Sequence, residues 1–247
     1  MTSGGRSYVY RSATGAPVYR VVRRGPDQFY QERYTDAGWE SGLKNVKRVP
    51  YRLPELFAIA DQGGAAFVVE GEKDVERLID ELSAAGQHSM TATTSAQGAG
   101  FQWPACWAGY FRGFDRVFVV GDDDLPGRKA AEQRARVAAI SGAVTKCQLC
   151  LPRVGVNTGG DISDYFNNQG TVAELLDLVE GAPQIRAEYA RDLELQQLAA
   201  TLEGAHGLIV GTTLPRPVRR ELAELITPVA AWLARKDPHL RRIRGAA

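Results

Sequence analysis

Residues 115–129 read DRVFVVGDDDLPGRK. Val117 to Val120 make a short β-branched and aromatic run closed by a glycine, the pattern of a strand buried on both faces. The next stretch, GRKAAEQRARVAAI (127–140), is rich in alanine and long charged side chains and reads as a helix. A strand, a short turn and a helix are half of a βαβ unit, and such units build parallel sheets with helices on their faces. The turn itself is the difficulty. Asp122, Asp123 and Asp124 repel one another at a strand end that offers no positive dipole. Either they form a solvated turn whose side chains bond the local backbone, or they hold a hard cation such as Mg²⁺, which needs only one or two protein carboxylates.

Working outward, the alternation continues. AAFVVE (65–70) reads as a strand, and KDVERLIDELSAAG (73–86) places Val75, Leu78, Ile79 and Leu82 on one helical face. SMTATTS (89–95) and AVTKCQLCLP (143–152) read as further strands. The expected fold class is therefore α/β, a mostly parallel sheet flanked by helices. In such sheets ligands bind beyond the carboxyl ends of the strands. Glu70 ends the first strand of this region, the aspartate run ends the third, and GGDISDYF (159–166) follows the fourth. All three acidic clusters fall on one edge, which independent solvated turns have no reason to share. That placement favours a site.

The flanks differ in texture. YVYRS, APVYRVVRR, FYQERY and WESGL, separated by turn signals, read as a small unit of antiparallel hairpins. Its tyrosines, Phe29 and Trp39 stand beside arginines; they either form the core of this small sheet or stack on bases. RVPYRLPEL (48–56) is a connector leading to a short helix. After Phe166 the chain turns helical, with TVAELLDLVEG, an acidic helix around QIRAEYARDLELQQLAATLEG, a final helix at 216–236 and the basic tail DPHLRRIRGAA. The expected division is 1–50 for the β unit, 51–168 for the catalytic α/β domain and 169–247 for a helical C-terminal region.

Composition bounds the rest. The chain has 247 residues, 30 Lys and Arg against 29 Asp and Glu, and 44% hydrophobic residues, which is ordinary globular usage. No run approaches the ~20 apolar residues of a membrane span, and the N-terminus lacks the apolar core of a signal peptide, so a cytoplasmic location is expected. Cys106, Cys147 and Cys150 make no disulfide framework. The Cys147/Cys150 pair has no second ligand pair for zinc and reads as buried thiols on a strand, a redox or metal role being the minor alternative.

Together, EGEKD (70–74), TATTSAQGAG (91–100), the DxDxxG of Asp122, Asp124 and Gly127, and DISDY (161–165) resemble the Toprim domain. That domain is shared by bacterial primases, phage-type primase-helicases, topoisomerases and small nucleases. The combination looks most like Toprim proteins of phages and mobile elements, over residues ~8–166. The resemblance implies Mg²⁺ held by these carboxylates and chemistry on phosphodiesters. Two features depart from it: the hairpins carry no cysteine and histidine pairs of a primase zinc ribbon, and no GxxxxGK[ST] loop of a helicase motor occurs in the sequence.

On this reading Glu70, Asp122 and Asp124 are the catalytic carboxylates. Asp122 and Asp124 are metal ligands projecting to one side while Asp123 points away; Glu70 is a ligand or a general base. Asp161 and Asp164 serve a second metal or support the first. Lys73 and Arg128 are the cations suited to phosphate, and Gly98 and Gly100 admit a nucleotide to the backbone or simply make a turn. Arg241, Arg242 and Arg244 contact nucleic acid or pair with the acidic helix. The cofactor is Mg²⁺, with Mn²⁺ as a substitute. The partners are single-stranded DNA or RNA, nucleoside triphosphates and a separate helicase. Three functions compete: primase-like nucleotidyl transfer, a metal-dependent nuclease, and a module that only binds nucleic acid or a replication partner.

Overall fold

The apolar run before the aspartates lies at the centre of a five-stranded sheet. The computed structural model describes residues 5–25, 28–155 and 158–185; the expected acidic helix beyond Ile185, the final helix and Arg241, Arg242 and Arg244 lie outside them. Strand β7 (Arg116–Val120) is flanked by β5 (Ala65–Val68) and β8 (Val144–Gln148), both parallel to it. Strand β6 (Met90–Thr93) pairs parallel outside β5, and β9 (Gln184–Ile185) closes the other edge antiparallel to β8. All of β5 and the last four residues of β7 are buried, as expected of strands covered on both faces. Gln184 and Ile185 were expected to begin the acidic helix. They form this edge strand instead, with Ile185 opposite Thr145 and Gln184 opposite Lys146.

The helices connect and cover. Helix α1 (Leu53–Ala60) buries Leu53, Leu56 and Ala60 ahead of β5. Helix α2 (Glu72–Ala84) crosses from β5 to β6 on the stripe Val75, Leu78 and Leu82. Helix α3 (Leu125–Ala139) links β7 to β8 through Ala131, Ala135 and Ala138, whose small side chains let it lie close to the sheet. Gly121 is obligatory here, because a Cβ on it would come within 2.9 Å of the Ala131 Cβ. Helices α4 (Ile162–Asn167) and α5 (Val172–Gly181) follow β8, each opened by a capping box, Asp161 with Asp164 and Thr171 with Glu174. Among the described residues no helix is long and apolar enough to cross a membrane.

The N-terminal strands β1 (Arg6–Arg11), β2 (Pro17–Arg23), β3 (Phe29–Thr35) and β4 (Gly38–Ser41) form a separate antiparallel meander. Tyr8, Tyr10, Tyr19 and Val21 are its buried apolar residues on one face, and the Tyr10 and Tyr19 rings stack at 4.3 Å. This face is pegged to its neighbours by phenols. Tyr19 Oη donates to the Val49 carbonyl (2.9 Å) and Tyr10 Oη to Glu72 Oε1 (2.7 Å), while Tyr51 of the connector donates to Glu76 Oε1 (2.6 Å). Both sheets accordingly fall within one compact unit, Met1–Arg186.

Candidate active site

Parallel pairing of β5 and β7 brings their carboxyl ends side by side. Glu70 leaves the end of β5 just before α2, Asp122 leaves the end of β7 just before α3, and Asp161 caps the start of α4. With Glu72, Lys73 and Asp74 of the first turn of α2 they line one wall of a cleft of about 390 Å³. The opposite wall comes from the small sheet: Tyr8, Val21, Arg23, Phe29 and Gln31. The register explains the wall, since Arg23 pairs with Phe29 and Val21 with both Tyr8 and Gln31 across neighbouring strands, so these side chains share a face. Phe29 is 62% exposed at its rim.

The acidic wall is crowded with charge. Burial and then the carboxylates of Glu70, Asp74, Asp161 and Asp124 push the Asp122 carboxyl up to about 8. Asp74 is also raised, by burial first and by Asp161 second, against a hydrogen bond from Ser163 Oγ. Lys73 Nζ answers part of this charge at 3.1 Å from Asp161 Oδ2. A second cation lies underneath. Arg134 on α3 is 2% exposed, and burial lowers its pKa while Glu70 and Asp122 raise it.

The sequence-predicted residues divide on inspection. Glu70, Lys73, Gly98, Asp122 and Asp161 meet in the cleft. Asp124 stands beside it as the cap of α3, its Oδ1 accepting the Gly127 amide at 2.6 Å, and its charge still acts on Asp122. Asp123 turns away, as expected. It is 3% exposed and pairs with Arg128, with Cys150 Sγ 3.5 Å away. Arg128 is therefore placed on Asp123 rather than on the cleft wall, because its position at the first turn of α3 faces the buried aspartate. Asp164 is likewise turned back on its own helix, its Oδ2 accepting the Asp161 amide at 3.3 Å. Gly100 has open space around it and does not line the cleft. Gly98 does: its φ is +47°, and a Cβ there would sit 3.2 Å from Glu70 Oε1. Cys147 is buried, its thiol pushed up to about 12, and Cys150 is exposed.

Several contributors escaped the sequence reading. Asp74 belongs to the quoted EGEKD, yet an acid in a first helical turn reads as dipole compensation. Arg134 reads as one more surface arginine, although it shares a helical face with Ala131, Ala135 and Ala138. Arg23, Gln31 and Phe29 carry no motif at all.

Among the described residues no three His, Cys, Asp or Glu side chains form a ready-made ligand cluster. The donor set at the cleft is hard carboxylate oxygen under mutual repulsion, which suits a Mg²⁺-type ion held by one or two carboxylates with water filling the remaining positions. Glu70 and Asp122 are the residues that could hold it.

Neither a protein-family model nor a curated protein matches this chain. Solved structures do. The chain is similar to the DnaG catalytic core, with a TM-score of 0.53 and 19% identity over 90% of this chain and 69% of that one. It is similar to the Aquifex aeolicus primase comprising zinc-binding and RNA polymerase domains, at a TM-score of 0.53 and 17% identity over 90% of this chain, and there it spans about half, 51%, of the longer protein. A DnaG primase catalytic domain bound to ssDNA gives a TM-score of 0.53 and 21% identity, covering 90% and 68%. At such identities the likeness concerns the fold alone, an α/β fold shared with these primase catalytic domains.

Proposed function

We propose that this chain carries a divalent-cation-dependent nucleotidyl-transfer site of primase type, which joins nucleotides along a single-stranded template. The observation that carries the proposal is the cleft itself: carboxylates from three separate segments converge on one wall, and an arginine with an exposed aromatic ring faces them from the other. Bound at the acidic wall, Mg²⁺ or Mn²⁺ would offset charge on a transferred phosphoryl group and favour the deprotonated attacking hydroxyl.

The chain's own groups have separable tasks. Asp122 and Glu70 supply the oxygens that hold the cation. Lys73 orients Asp161 through one hydrogen bond, leaving its other donors for phosphate oxygens. Arg23 offers a phosphate contact and Phe29 a stacking surface, the combination by which single strands are held without base-specific readout. Gly98 keeps the floor open beside Glu70. The similarity to a DnaG catalytic domain solved with ssDNA supports the choice of partner. Membership in a phage or mobile element and supply of the template by a separate helicase extend the same proposal.

The test is incubation of the full chain with a single-stranded template, labelled nucleoside triphosphates and Mg²⁺ or Mn²⁺, scored for both synthesis and cleavage. The proposal expects cation-dependent synthesis that D122N and E70Q abolish. Cleavage of the template without synthesis, lost in the same variants, would replace it with the nuclease reading. Binding of template that no cation affects would leave a binding module.

A further inference from the structure

Arg134 is a buried arginine in a place where a buried charge is costly unless it is paired. Its Nη2 donates to the Gly98 carbonyl at 2.6 Å and its Nη1 to the Val69 carbonyl at 3.3 Å. Its guanidinium lies 5.6 Å from the centre of the Trp103 ring, and its Nε is buried without a hydrogen-bond partner. The Trp103 ring is fixed in turn. Its Nε1 donates to Ser95 Oγ (2.9 Å), and Gln133 on the same helix clasps both its backbone amide and its carbonyl (3.1 and 2.7 Å).

The two carbonyls that Arg134 reaches bracket one residue. Val69 precedes Glu70 in the chain, and Gly98 lies against the Glu70 carboxylate. Thr94 Oγ1 meets the Glu70 carbonyl itself at 2.6 Å. We infer that Arg134 is a positioning residue for the acidic wall, its planar fork tying the end of β5 to the 97–100 turn and so setting where the Glu70 carboxylate stands relative to Asp122. A lysine cannot do this, because one ammonium on a flexible stem does not span two fixed carbonyls with a planar fork. The inference rests on the cation-binding reading of the cleft for its functional consequence, and on the hydrogen bonds alone for the bracing.

Two readouts separate those parts. The first is Mn²⁺ affinity by calorimetry on the full chain, well below the melting midpoint of each variant. The second is amide exchange of residues 96–100 in EDTA. Arg134→Lys should weaken Mn²⁺ binding by about tenfold, the scale of a lost supporting contact behind a ligand, and should speed exchange in the turn. Val179→Ala, in α5 and away from the cleft, should lower the melting midpoint and leave both readouts unchanged, so stability loss alone cannot imitate the effect. If Arg134→Lys binds Mn²⁺ like wild type while Arg134→Met binds it more tightly, Arg134 acts only as a charge and the positioning role is wrong. If Arg134→Lys fails to fold, Trp103→Leu takes its place: it removes the ring that backs the guanidinium, and Mn²⁺ affinity must fall while exchange in the turn speeds up if the inference holds. A wild-type chain that takes up no Mn²⁺ overturns the cation reading instead. Exchange then decides the brace by itself, and unchanged protection in Arg134→Lys sinks it.

Discussion

Replacing Asp122 with Asn should make the metal-free protein more stable, and by an amount that depends on pH. Asp122 titrates at about 8 in the folded chain against an ordinary value of 3.8. Between those values the folded state holds a proton that the unfolded chain releases, so stability falls as pH rises through the window; below about 4 both states are protonated. At about 1.4 kcal/mol per pH unit, the full interval would come to roughly 5–6 kcal/mol if Asp122 titrated alone. It does not, since Glu70, Asp74, Asp161 and Asp124 share the same field and their protons redistribute together. About half, roughly 2–3 kcal/mol at pH 8, is the reasonable expectation. Urea unfolding of wild type and D122N in EDTA, repeated from pH 4 to pH 8, measures it. The difference should be near zero at the acid end and should grow in favour of D122N. A cation should close the gap: at a hundredfold excess over its dissociation constant, wild type gains about 2.7 kcal/mol, enough to offset its deficit, and D122N gains little. A difference that stays flat with pH, or a D122N protein less stable than wild type at pH 8 in EDTA, would refute the reasoning.

Two further outcomes follow from the same geometry. Gly98→Ala places a Cβ 3.2 Å from Glu70 Oε1 on a backbone with φ +47°; it should cost about 1–2 kcal/mol in urea unfolding and weaken Mn²⁺ binding in calorimetry, and unchanged affinity would mean that Glu70 is not a ligand. Tyr10→Phe removes the phenol that donates to Glu72 Oε1; the expected loss is about 1–3 kcal/mol, with limited proteolysis now cutting between the small sheet and the connector at 43–50, whereas a protease pattern identical to wild type would show that the two sheets hold together without this peg.

Much of this architecture was legible because the physics behind it is local. Val117 to Val120 could be read as a doubly buried strand, and strand ends in a parallel sheet share an edge, so Glu70, Asp122 and Asp161 could be placed together before any coordinates. What stayed hidden depends on packing between elements. Gln184 and Ile185 are too few to show a period, and only the edge of β8 makes them a strand. Arg128 and Arg134 lie on one helix and look alike in sequence, but a rotation of the helix sends one to Asp123 and the other beneath the cleft. Asp164 had the right chemistry and the right spacing, and its use as a cap was written in the same four residues that suggested a ligand. The cleft's second wall is invisible in any motif, because it arises from how the tyrosine face of the small sheet meets α2.

That meeting has a mechanical meaning. Glu72 and Glu76 sit one turn apart on α2, and they receive Tyr10 from the small sheet and Tyr51 from the connector. The same helix begins two residues after Glu70. The wall that carries Arg23 and Phe29 and the wall that carries the carboxylates are thus fastened to a common beam, like the jaws of a calliper locked at one setting. Widening the cleft therefore means breaking a phenol–carboxylate bond on α2, so the spacing of the two walls is set by the frame that carries them.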